Sequence, residues 1–163
     1  MPKSTIVVNS TPIILLEKIG HIDLLKKLYG KIYVPQAVYQ EITTGDDSEN
    51  MQEFFTNNNL IEIVQIQNTD AKKTFTSSLH SGEVETILLA MEKSADLCIF
   101  DDLLARKHAK RLNLNLTGTL GVIIAAKQSG LIDYVKPLLD KLIAVDMYIS
   151  DKLYNTVLSQ ARE

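Results

Sequence analysis

Two adjacent carboxyl groups, Asp101 and Asp102, follow directly on the apolar run "LCIF". Acids placed just past a buried strand are less easily explained as surface than acids elsewhere, although capping the next helix explains them equally well. Other acids recur at comparable points. Glu41 lies on the helix expected after "KIYVP", Glu83 and Glu85 open "SGEVETILLAMEKS", and the first strand candidate, "TIVVN", ends in the amide Asn9 followed by Ser10. Carboxylates gathered without a matching set of lysines and arginines repel one another, so they must share protons or a hard divalent cation. Magnesium or manganese suits such oxygen donors. A cation held there activates water and stabilises charge on a phosphodiester undergoing in-line displacement.

Each residue also has a plainer explanation. Asn9 and Ser10 can end a strand and cap a helix, Glu41 can be a solvated helix position, and Glu83 and Glu85 can simply favour a helix N-terminus. Arg106, Lys107, Lys110 and Arg111 form either a solvated helix face or a phosphate-facing patch. No Ser-His or Cys-His arrangement is evident, Cys98 sits in a run that reads as core, and "GTLG" lacks the lysine and spacing of a phosphate loop.

The elements that must position these groups follow from periodicity and punctuation. "TIVVN" is a strand leading into the helix "TPIILLEKIG", with Thr11 as its cap, Pro12 at the first helical position and Gly20 at its end. "HIDLLKKLYG" repeats a short helix, and "KIYVP" is a strand whose Pro35 starts "PQAVYQEITTG". A polar loop with a short helix, "GDDSENMQEFFTNNN", precedes the strand "LIEIVQI", and residues 68–80 are expected to be irregular or weakly helical. In "SGEVETILLAMEKS", Val84, Ile87, Leu88 and Met91 have the spacing of one buried helical stripe. "LCIF" and "LNLTG" are two further strands, each followed by a helix, "DDLLARKHAKRLN" and "TLGVIIAAKQSG". The last stretch reads as a helix, an extended piece at "MYIS" and a terminal helix capped by Ser150.

Alternating strands and helices predict an α/β fold with a mainly parallel sheet covered on both faces, joined by right-handed crossovers. In such sheets ligands bind beyond the carboxyl ends of the strands, where Asn9, Asp101 and Asp102 fall. The 163 residues are expected to form a single domain over 1–163, without repeat or linker. One cysteine excludes an internal disulfide framework and a multi-cysteine zinc site. No apolar run is long enough to span a bilayer and no signal segment opens the chain, so a cytoplasmic location is expected and no membrane partner. The net charge of −3 disfavours coating nucleic acid by bulk electrostatics but leaves a local phosphate site open.

Taken together, "VVNSTPIILLEKIGHIDLLKKLYGKIYVPQAVYQEI", "HSGEVETILLA", "IFDDLLARKHAKRL" and "LTGTLGVIIAAKQSGLI" resemble the PIN-domain nucleases, in particular a prokaryotic subgroup related to VapC-type toxins and long known only as a domain of unknown function. The resemblance spans roughly residues 5–160. It implies a three-layer α/β/α sandwich, Mg2+- or Mn2+-dependent cleavage of single-stranded or structured RNA, frequent homodimerisation and, in a toxin, a small antitoxin partner. It places the first acidic position on Asn9, where aspartate is usual, the second on Glu41, the third on Glu83 and the last on Asp101 or Asp102. Thr117 and Thr119 match the segment that borders the site, and Ser10 and Arg106 are candidates for substrate contact. A neutral amide at the first position attracts a cation less than a carboxylate does. The rival expectation is therefore an attenuated PIN fold that serves as an RNA-binding or protein-interaction module.

Overall fold

The structure is a computed structural model and describes residues 4–45, 48–74 and 79–163, the side chains of 48–50 excepted. Strand β1 (Ile6–Val8) leads into α1 (Ser10–Lys18) and α2 (Asp23–Tyr29), and β2 (Ile32–Pro35) into α3 (Gln36–Thr43) and α4 (Ser48–Thr56). Strand β3 (Ile61–Val64) is followed by a 3-10 helix (Thr69–Thr74) and α5 (Ser81–Glu92), and β4 (Leu97–Ile99) by α6 (Leu103–Arg111). The chain finishes with β5 (Leu116–Thr117), α7 (Thr119–Gln128), α8 (Lys136–Ala144) and α9 (Asp151–Gln160).

The five strands pair in parallel in the order β3-β2-β1-β4-β5. Val7 lies opposite Tyr33 on one side and Cys98 on the other, so β1 is central and is bonded to strands from both halves of the chain. The period of two then divides the core. Ile6, Val8 and Ile99 face one layer, where α1, α2, α7 and α8 pack, whereas Val7, Cys98 and Phe100 face α5 and α6. Both faces of the sheet are covered, which gives the expected three-layer α/β/α arrangement. Because β2 and β3 build outward on one side of β1 and β4 and β5 on the other, the order reverses between β1 and β4. The crevice at the carboxyl ends of these two strands is the topological switch point.

Several local expectations shift. Helix α1 begins at Ser10, so Asn9 and not Thr11 holds the N-cap position, without a side-chain cap bond. Pro12 consequently sits third in the helix, a position whose missing N–H costs no intrahelical bond. Met91 is 46% exposed on the last turn of α5, because burial there passes instead to Leu89 and Ala90. Residues 147–150 belong to no strand, while Ser150 does cap α9, its Oγ accepting the Leu153 N–H at 3.1 Å. Asp46 and Asp47 of the polar loop, and residues 75–78 of the irregular stretch, lie outside the described residues. Among the described residues no helix is long and apolar enough to cross a membrane.

Candidate functional site

Asn9 leaves β1 with its N–H bonded to Ile99 O at 3.0 Å, which ties the ends of β1 and β4 together at the switch point. The residue is 3% exposed. Its Oδ1 lies 3.3 Å from the Thr86 hydroxyl, which also donates to Gly82 O at 2.7 Å. The first turn of α5 therefore rests against the end of β1. One residue on, the Ser10 hydroxyl donates to Glu41 Oε2 at 3.0 Å, and Glu41 Oε1 accepts the Gly82 N–H at 3.1 Å. Through these two bonds α1, α3 and α5 interlock around a single carboxylate. A Cβ at position 82 would lie 2.8 Å from Glu41 Cδ and closer still to its oxygen, so any side chain there would displace the carboxylate from this approach. The neighbouring Glu83 accepts the His80 N–H at 2.9 Å at the start of α5.

Across the crevice, the carboxylate of Asp101 accepts the Thr119 N–H at 2.8 Å and the Thr119 hydroxyl at 2.6 Å, so the end of β4 fixes the start of α7. Asp102 is exposed and caps α6, accepting the Ala105 N–H at 2.8 Å. Arg106, half-buried one turn later, donates from Nη1 to Phe100 O at 3.1 Å. Gly118 is squeezed between these groups: a Cβ would stand 2.5 Å from Asp101 Oδ1 and 2.9 Å from Arg106 Nη1. Thr117 borders the same edge and packs over Gly121, where a Cβ would collide with its hydroxyl.

Electrostatics connects the two sides. Burial pushes the Glu83 carboxyl above its ordinary 4.5, the His80 N–H opposes this, and the negative charges of Asp102 and Glu41 raise it further. Glu83 thus senses acids delivered by the end of β4 and by α3. An oxygen-only donor set with excess negative charge fits a hard divalent cation. Among the described residues, however, no three His, Cys, Asp or Glu side chains gather within reach of one ion. Each carboxylate is turned onto a backbone N–H instead.

Glu85 has a different task. It is buried, accepts the Ala37 N–H at 3.2 Å and pairs with Lys72 at 2.6 Å, so it joins α5 to the start of α3 and to the 3-10 helix. Sequence patterns did not point to Thr86, Gly82 or Gly118. The two glycines carried a signal in hindsight, since each stands immediately beside a polar motif, "SGE" and "TGT". Thr86 carried none, as a helical threonine within an apolar stretch marks nothing by itself.

A doubly wound parallel sheet with acidic and amide side chains at its switch point defines the class: an α/β protein whose ligand site is the crevice beyond β1 and β4. A family described as "PIN domain" matches residues 5–163, nearly the whole chain, and the chain belongs to it. This is a nuclease-type fold, and PIN domains are generally dependent on divalent metal. Comparison with curated proteins gives no match.

Proposed function

We propose that the chain is a metal-dependent endoribonuclease whose active site is the β1–β4 crevice. The interlock of Ser10, Glu41 and Gly82, which draws the acids of α3 and α5 to the end of β1, is the observation that carries this reading. Glu41, Glu83, Asp101 and Asp102 would hold one or two Mg2+ or Mn2+ ions after turning from the backbone N–H groups they accept, with Asn9 as a neutral oxygen donor. The cation supplies activation of water and stabilisation of charge on the phosphodiester. Asn9 orients the attacking water or a phosphate oxygen, and Ser10 keeps Glu41 facing the crevice. Thr119 fixes the Asp101 carboxylate through two hydrogen bonds, one to each oxygen. Arg106 stands beside the site as a fixed cation for a substrate phosphate.

The family relationship further suggests a one-domain chain acting as a homodimer in the cytoplasm. It is also compatible with the toxin half of a toxin-antitoxin pair. A small antitoxin would then cover the acidic crevice, and growth arrest on expression alone is the expected phenotype. A second reading is favoured by one observation: the first acidic position is a neutral amide whose oxygen already meets Thr86. Under it the fold is attenuated and binds RNA without cutting it.

The two are separated by incubating purified protein and RNA with manganese, magnesium or chelator, beside Asp101→Asn and Glu41→Gln variants. Cleavage that requires metal and falls at least about a hundredfold in either variant is expected. Cleavage indifferent to chelator and to both substitutions rules out the mechanism, and metal-independent RNA binding without cleavage favours the attenuated fold.

A further inference from the structure

A groove of about 560 Å³ adjoins the candidate site, and its lining joins Asp101 and Arg106 to Leu120, Leu153 and Tyr148. Its volume is that of a site for one small ligand. Two apolar side chains on this lining stand almost wholly in water: Leu103 is 83% exposed and Tyr148 is 87% exposed. Single exposed apolar residues are ordinary, but here an aromatic ring, an aliphatic flank and a guanidinium share one groove beside the acidic edge. The Asp101 carboxylate is turned onto the N–H and hydroxyl of Thr119. Arg106 is held in place through Nη1 on Phe100 O, which preorganises its planar fork for an anion. Lys107, Lys110 and Arg111 on the same helix add positive charge, complementary to a polyanion.

Resting on the nuclease reading above, we infer that this groove seats one unpaired nucleotide of the RNA next to the crevice, its base stacked on Tyr148 and its phosphate on Arg106. A base can lie flat on a tyrosine ring only when it has left its neighbours, so the groove selects single strands over duplexes. Stacking of this kind tolerates any base, and Tyr148 therefore sets strand type and not sequence.

The test is fluorescence anisotropy in chelator, where no metal-dependent cleavage occurs, with a short labelled oligouridine and a labelled base-paired hairpin. Wild type is expected to prefer the oligouridine. Tyr148→Ala should weaken oligouridine binding by roughly 5- to 150-fold, the equivalent of one stacked base, while leaving the hairpin unchanged. Tyr148→Phe should stay within about twofold of wild type, since the ring and not the hydroxyl is used. The inference is overturned if wild type binds neither probe or both alike, or if Tyr148→Ala binds oligouridine as wild type does. It is overturned equally if that substitution changes the sedimenting mass, which would make the groove a protein interface. Loss of cleavage with the binding contrast intact would count against the nuclease reading alone.

Discussion

Glu83 is the acid whose environment works against its charge. Its folded-state carboxyl titrates above 4.5 because of burial and of Asp102 and Glu41, so between 4.5 and the raised value the folded chain holds more protons than the unfolded one. Stability contributed by this group is full below that window and falls as pH rises through it. Glu83→Gln should therefore melt higher than wild type at neutral pH, by about 2–4 °C per kcal/mol recovered, with the difference vanishing at the acid end. Manganese should reverse the order, because only the carboxylate gains from the cation. A thermal-shift series over pH with and without manganese measures both signs. Asn9 bears on the same balance. Asn9→Asp adds a charge at a 3% exposed position, so the metal-free protein should lose stability while the manganese-induced rise in melting temperature grows. Cleavage should increase about tenfold or more, and an unchanged rate would show that the first position lies outside the chemistry.

At the scale of elements, α3 and α5 deliver the acids of one side, and what holds them together is a close approach and a buried strut. Gly82→Ala would ordinarily strengthen a helix by about 1 kcal/mol, but here the added Cβ meets the Glu41 carboxylate. Activity should drop at least about tenfold with the helical circular-dichroism signal unchanged, a separation that a merely structural glycine would not produce. The strut is Glu85, whose oxygens serve the Ala37 N–H and Lys72. Truncating it to alanine leaves a buried donor and a cation unpaired and should cost about 3 kcal/mol in denaturant unfolding. Alternation of apolar runs and turn residues made the order of strands and helices legible in the sequence, because burial on both faces writes itself as "IVV" and "LCIF". The acids Glu41, Glu83, Asp101 and Asp102 were legible as types at strand and helix ends. Their hydrogen-bond partners were not, since Ser10 meets Glu41 and Thr86 meets Asn9 across 31 and 77 residues of chain, distances that local patterns do not encode. Met91 misled for the complementary reason: helical spacing marks a face but not where the neighbouring layer ends.

For the molecule as a whole, the β1–β4 reversal gathers residues from both ends of the fold, and the last helices complete the layer behind it. Glu163 ties that layer down, accepting the N–H groups of Val135 at 2.6 Å and Lys136 at 3.2 Å and pairing with Lys127 at 2.9 Å. Burial pushes its carboxyl up, but the Val135 N–H, Lys127 and the Lys136 N–H outweigh it and hold the group below 4.5. Its stabilisation is thus present above 4.5 and lost as pH falls through the lowered value. Glu163→Gln should melt below wild type at neutral pH and converge with it in acid, a sign opposite to that of Glu83→Gln. The two variants together separate a charge that anchors the scaffold from one held at some cost to stability.

That cost has a purpose only if a cation completes the crevice. Crystals of the protein grown with manganese, measured for the anomalous signal of the metal, test this directly. An ion is expected at the carboxyl ends of β1 and β4, bound by oxygens of Glu41, Glu83 and the Asp101–Asp102 pair. A saturating manganese concentration with no ion there, or with the metal bound only elsewhere on the chain, would contradict it.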